Sequence, residues 1–162
     1  LPRAWLETHK NPKNWKNFNF SFSGLKTALL RLAAQELSSE KSDRAKMVAD
    51  LAASYQEAIN EVLATKLLLA AQKFQTREIH LVGGVSANQD LRQKIQSALS
   101  SLKSPVLGDL VFRSPIRFRF PQNLTFCTDN AAMIAAAGFY KYQLNPQKFH
   151  HYDIEVSTEI SL

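Results

Sequence analysis

The residues best placed to do chemistry in this sequence gather at two glycine-bearing turns and one aspartate. Ile79-His80-Leu81-Val82-Gly83-Gly84 is a short β-prone apolar run that stops at two glycines, and Asn88 opens the amphipathic stretch that follows. Two glycines at the C-terminal edge of a strand let backbone N–H groups approach a ligand with no Cβ in the way. A helix starting straight after them aims the positive end of its dipole at the same point. Such a strand, turn and helix start can hold an adenosine or a phosphate, and it can equally be only a tight connection. Asn88 carries one amide acceptor and two N–H donors, which suit adenine or ribose recognition; asparagine is also a good helix N-cap. The second glycine-bearing helix start, Ser23-Gly24-Leu25-Lys26, offers Lys26 as a phosphate contact or as a plain exposed lysine. Asp129 stands in Cys127-Thr128-Asp129-Asn130, before an apolar stretch, where a carboxylate can cap a first turn. Cys127 has no histidine near it in sequence and reads as a small buried residue rather than a nucleophile. His80, inside an apolar run, reads as a hydrogen-bonded core residue.

Helices and strands in alternation must position these groups. Residues 11–19 are polar and asparagine-rich, with Pro12 among them, and read as an exposed loop. Ser23 is the expected N-cap of a helix with the face Leu25, Ala28, Leu29, Leu32 and Ala33, interrupted at residues 38–42. A long helix follows to about Phe74, with Met47, Leu51, Tyr55, Ile59, Val62, Leu63, Leu67 and Ala70 at three- and four-residue spacing. The stretch from Glu78 to Val82 reads as a strand buried on both faces apart from His80. Leu91, Ile95 and Leu99 mark a helix beginning at Ala87 or Asn88. Two further strands are expected at 110–113 and 116–120, the second alternating Ile116, Phe118 and Phe120 with Arg117 and Arg119. The last helix is expected from about Asp129 to Tyr142, and the alternation of Ile154, Val156, Thr158 and Ile160 fits an edge strand or a disordered tail. Helices alternating with strands predict an α/β layered fold. The expected division is a loop and helical segment over 1–75, an α/β segment over 76–145 and a tail over 146–162.

Composition narrows the class. A chain of 162 residues, 45% hydrophobic, can bury one core. Its single cysteine excludes an internal disulfide and suits a reducing compartment such as the cytoplasm. No apolar run approaches the roughly 20 residues of a membrane span, and no signal-peptide pattern opens the chain. Leu1 is not a natural start residue, so the chain is expected to have been cut from something longer. The net charge of +6 is concentrated in two blocks. Residues 1–31 hold Arg3, Lys10, Lys13, Lys16, Lys26 and Arg31 against Glu7; residues 92–119 hold Arg92, Lys94, Lys103, Arg113, Arg117 and Arg119 against Asp109. With Trp5, Trp15, Phe18, Phe118 and Phe120 among them, these blocks suit a polyanion, while a solvated loop and a polar strand face account for them as well.

Three ordered blocks carry a resemblance. Phe22-Ser23-Gly24-Leu25-Lys26-Thr27, Gly83-Gly84-Val85-Ser86-Ala87-Asn88 and Cys127-Thr128-Asp129-Asn130, the last followed by Met133-Ile134-Ala135, resemble the TsaD/Gcp family of tRNA N6-adenosine threonylcarbamoyltransferases. The resemblance runs from about Leu1 to Tyr140 and corresponds to the C-terminal half of the family protein. It implies the C-terminal part of an actin/Hsp70/sugar-kinase-like (ASKHA) two-domain fold, with the mostly helical stretch from Leu25 to Phe74 packed on one side of the sheet. The segment 101–115 departs from the compact family pattern. The implied reaction moves a threonylcarbamoyl group from threonylcarbamoyl-AMP to N6 of adenosine 37 in tRNAs reading ANN codons.

By the same resemblance, Asn88 with Gly83 and Gly84 faces the adenylate, as ATP or threonylcarbamoyl-AMP, and Asp129 is a metal ligand. The implied metal is one divalent ion, iron or zinc, completed by two histidines spaced i, i+4 that this chain lacks; His9, His80, His150 and His151 form no such pair. One carboxylate cannot hold a transition metal tightly, since such sites take three protein ligands. No general base is identified, and this chain alone is expected to be incomplete and inactive. Implied partners are tRNA, with Lys10, Lys13, Lys16, Lys26, Arg117 and Arg119 as candidate contacts, and in bacteria an inactive paralogue and a small ATPase. Organelles work with fewer partners. The alternatives are a non-catalytic nucleotide-lobe fragment or paralogue acting by protein contacts and, with no His-Glu-x-x-His motif to support it, a metallopeptidase.

Overall fold

A computed structural model describes residues 1–4, 18–37, 43–100 and 115–149. The chain forms helix α1 (Ser23–Leu37), helix α2 (Arg44–Phe74), strand β1 (Glu78–His80), helix α3 (Gln89–Ser100), strand β2 (Arg117–Arg119) and helix α4 (Ala131–Leu144). Short 3-10 turns at Gly84–Ala87, Leu124–Phe126 and Pro146–Phe149 join or follow them. β1 and β2 pair in parallel, Glu78 opposite Arg117, Ile79 opposite Phe118 and His80 opposite Arg119. A parallel pair needs a crossover, and α3 lies between the two strands in sequence, so β1–α3–β2 is a βαβ unit. The expectation of an α/β fold holds at this level.

The core lies where the C-terminal half of α2, α3 and the strand pair meet. Ala64, Leu68, Ala71, Ile79, Leu91 and Ile95 are buried together, with Leu63, Leu67, Leu99, Ile116 and Phe118 packed around them. All the buried positions of α2 fall between Ala58 and Ala71. A helix of 31 residues is about 46 Å long, so its N-terminal turns run past this core. Asp43 caps α2 by accepting the Lys46 N–H at 3.0 Å. At the other end Gln75 takes the left-handed conformation (φ 50°), with Gln75 N–H on Gln72 O and Thr76 N–H on Ala71 O, both 3.1 Å. That Schellman pairing stops the helix and turns the chain into β1. α1 packs against α2 through the buried Leu25.

Local chemistry shifts several expected boundaries. Ser23 is already helical, and Ser21 Oγ accepts its N–H at 3.4 Å, so the first-turn donor is met two residues earlier than expected. The β1 strand ends at His80 rather than Val82, which is exposed, because pairing with β2 stops there. His80 is also exposed instead of buried. Ile79 and Phe118 turn toward the core, so by the two-residue period Glu78, His80, Arg117 and Arg119 share the opposite face. On that face His80 Nε2 meets Glu78 at 2.9 Å, and Arg117 and Arg119 pair with the same carboxylate at 2.5 and 3.3 Å. The strand expected at 110–113, the loop residues 11–17 and the tail from 150 onward lie outside the described residues. Among those described, no helix is long and apolar enough to cross a membrane.

Candidate functional site

β1 delivers the chain to Gly83, whose φ of 87° and ψ of 171° lie in a region that side chains with a Cβ rarely adopt. This is the position where glycine is required. Gly84 has an ordinary φ, and a Cβ there would lie 3.9 Å from Thr128 Cγ2. The glycine turn therefore faces the Cys127-Thr128-Asp129-Asn130 block, which follows it by more than forty residues in sequence. A 3-10 turn over Gly84–Ala87 stands between the glycines and α3, contrary to the expectation that the helix starts straight after them. The Ser86 N–H closes this turn on Gly83 O at 2.9 Å.

Asn88 is a helix cap and a hub. Its Oδ1 accepts the Leu91 N–H at 3.0 Å and the Asn60 Nδ2 amide at 3.1 Å, and its own Nδ2 donates to Gln56 Oε1 at 3.2 Å. Of the amide's two N–H groups, one has no acceptor among the described residues. Asn60 is fully buried in the middle of α2, where an apolar residue is the usual choice, and its Nδ2 also donates to Asp90 at 2.8 Å. Asn88 and Asp90 thus occupy the positive end of α3 themselves. Lys94, one turn on, binds Glu57 of α2 at 2.8 Å; that hydrogen bond raises the pKa of its ammonium.

The aspartate block is held separately. Asn123 starts a 3-10 turn by accepting the Thr125 N–H at 3.0 Å. Asn130, not Asp129, caps α4: its Oδ1 accepts the Met133 N–H at 3.2 Å while its amide donates to Thr128 O and Thr125 O. The reason is one of register, since the helix begins at Ala131 and the residue before it takes the cap. Asp129 is exposed, and among the described residues its carboxylate has no hydrogen bond or ion pair. Cys127 is buried, as expected.

Sequence reasoning missed what joins the two loops. Arg92, counted only as one charge of a basic block, donates from Nε to Ser86 O at 2.5 Å and from Nη2 to Cys127 Sγ at 3.4 Å. Its guanidinium lies over the Phe120 ring, 4.4 Å from the centroid. Asn60 was missed too, though an asparagine breaking the apolar spacing of a long helix was a visible signal. The other candidates are dispersed. Lys26 is exposed on α1, Arg117 and Arg119 share Glu78 on the strand face, and Lys10, Lys13 and Lys16 lie outside the described residues.

Among the described residues no three His, Cys, Asp or Glu side chains gather as a metal site. The Asp129 carboxylate, unengaged among the described residues, fits one ligand of such a site and no more.

The family model for tRNA N6-adenosine threonylcarbamoyltransferase matches residues 3–136. A protein of that name from Moorella thermoacetica is 42% identical over 144 residues, covering 88% of this chain and 35% of the relative. One from Thermomicrobium roseum is 38% identical over 159 residues and is covered for 37% of its length. One from Halalkalibacterium halodurans is 35% identical over 162 residues, with 100% of this chain and 40% of the relative covered. The chain thus spans well under half of the curated relatives it matches. With the glycine turn, Asn88 and Asp129 all inside the matched region, the chain belongs to the tRNA N6-adenosine threonylcarbamoyltransferase family.

Proposed function

We propose that this chain is the C-terminal part of an enzyme that transfers the threonylcarbamoyl group of threonylcarbamoyl-AMP to N6 of adenosine 37 in tRNAs reading ANN codons. One observation carries the reading: the fold brings the Gly83–Gly84 turn against the loop of Asp129, with Gly84 beside Thr128. Backbone N–H groups at Gly84 and the free N–H of Asn88 are suited to the adenylate, which is the leaving group. Asp129 would supply one ligand of an iron or zinc ion whose histidine ligands lie outside this chain; when bound, that ion would polarise the threonylcarbamoyl carbonyl. This chain's own residues orient. The adenine amine is a poor nucleophile, and fixing leaving group and carbonyl relative to each other lowers the barrier by positioning.

In the wider fold, residues 76–145 serve as the nucleotide-lobe segment of an ASKHA two-domain arrangement, with the mostly helical stretch from Leu25 to Phe74 packed on one side of its sheet. The protein works in the cytoplasm with tRNA, an inactive paralogue and a small ATPase.

The test is Asp129→Ala in the full-length enzyme. Asn130 holds the cap, so the fold is expected to change little, while bound metal and tRNA modification are both lost. Parental metal content with parental transfer activity would refute the assignment.

A further inference from the structure

Arg92 touches the 3-10 turn that follows Gly83, the aspartate loop and the residue just beyond β2. It hydrogen-bonds Ser86 O, the carbonyl that follows Gly84 and Val85, and Cys127 Sγ, two residues before Asp129. Phe120, just beyond β2, backs the guanidinium plane. A guanidinium is planar, permanently charged and able to donate in two fixed directions while stacking by its face; an ammonium does none of this in one place. We propose that Arg92 is a positioning residue, which sets the separation between the adenylate held at the glycine turn and the carboxylate of Asp129 without touching the substrate. This rests on the adenylate and Asp129 roles proposed above.

Two features support a positioning role over simple packing. Gly83 and Gly84 carry no side chains, and Arg92 holds the segment that follows them by its bond to Ser86 O. The Asp129 loop is stitched internally by Asn123 and Asn130, which make no hydrogen bond to the glycine turn. Arg92 supplies that bond.

The experiment compares Arg92→Lys and Arg92→Met with the parent in the full-length enzyme, at a temperature well below the melting point of each. A misplacement of about 1 Å between reacting groups costs on the order of 100-fold in rate. Both variants are therefore expected to lose about 10- to 100-fold in kcat, with KM for threonylcarbamoyl-AMP within about threefold of the parent. Lysine should not rescue, because the deficit lies in geometry and not in charge. Phe120→Leu, which keeps the arginine and removes only the ring behind it, should give a smaller loss in kcat. A readout independent of activity is calorimetric titration of the full-length enzyme with an ATP analogue. That affinity should stay within about threefold of the parent's in both variants, because Arg92 sets a separation and does not touch the nucleotide.

Lowered melting temperature with parental kcat in both variants would overturn the proposal and leave Arg92 as a packing residue. So would full activity in Arg92→Lys, or nucleotide affinity that falls in step with kcat in both variants. The underlying adenylate reading fails separately, if Asn88→Ala and Asn88→Ser leave nucleotide affinity at the parental value while Arg92→Lys still lowers kcat.

Discussion

Asn88 caps a helix and is also the residue proposed to face the adenylate. Its carbonyl oxygen is fully engaged by Leu91 and Asn60, so only an N–H is left to bind anything else. Serine caps a helix nearly as well as asparagine but has no amide. Asn88→Ser should keep the α3 cap and lose adenylate affinity, whereas Asn88→Ala should lose both. The expected loss in binding is about 1–3 kcal/mol in either variant, read by calorimetric titration with an ATP analogue, and the thermal melt reports the cap separately. The two glycines make a similar contrast. Gly83→Ala forces a Cβ into a glycine-only conformation and should cost about 1–3 kcal/mol of stability. Gly84→Ala meets nothing closer than Thr128 Cγ2 and should stay within about 1 kcal/mol of the parent. If a nucleotide approaches the Gly84 backbone, that nearly silent variant loses nucleotide affinity; unchanged affinity would leave the turn a connection.

At the scale of elements, the outer face of the strand pair is an electrostatic cluster and not a core face. The hydrogen bond with His80 holds the Glu78 carboxyl below its ordinary value of 4.5, against the opposing effect of burial, and Arg117 and Arg119 add to the lowering. A carboxylate with a depressed folded pKa contributes stability that is fully present above its unfolded value. That contribution is lost as pH falls below about 4.5 and through the folded pKa. Melting temperature measured from pH 6 to pH 3 should therefore fall more steeply for the parent than for Glu78→Gln. Parallel curves would show that the cluster contributes nothing to the pairing of β1 with β2.

For the whole molecule, charge and apolar surface are both unevenly distributed. Arg117 and Arg119 share one carboxylate, so the second basic block offers a polyanion less than its sequence count implies. Lys10, Lys13 and Lys16 have one acid, Glu7, in their stretch of sequence. Neutralising those three lysines in the full-length enzyme should reduce the slope of log K for tRNA against log salt. The reduction is about 0.7–0.9 for each phosphate that a lysine had neutralised. Neutralising Arg117 and Arg119 should change it by less. A triple lysine variant with parental affinity and slope would move the tRNA surface elsewhere. α4 is the other uneven feature. Every residue from Ala131 to Leu144 is exposed, Ile134 at 70% and Leu144 at 86% among them. A helix apolar on all sides is ordinarily a buried one; here the Phe149 ring meets Tyr142, 6.0 Å between centroids, and the helix stays exposed along its length.

What the sequence determined by itself is local. The helix periods, the glycine turn after a strand and the alternation of helices with strands are set by neighbours a few residues apart, and the three ordered blocks were enough to point to the family. That the strands pair in parallel is a tertiary fact. What only the tertiary structure decided are the contacts between distant residues. Asn60 reaches Asn88 across 28 positions and Arg92 reaches Cys127 across 35. The face to which His80 turns follows from pairing with β2, and the transfer of the α4 cap from Asp129 to Asn130 follows from where that helix begins. No periodicity encodes such pairs: they exist because packing α2, α3 and the strands on one core brings these polar groups within reach of one another.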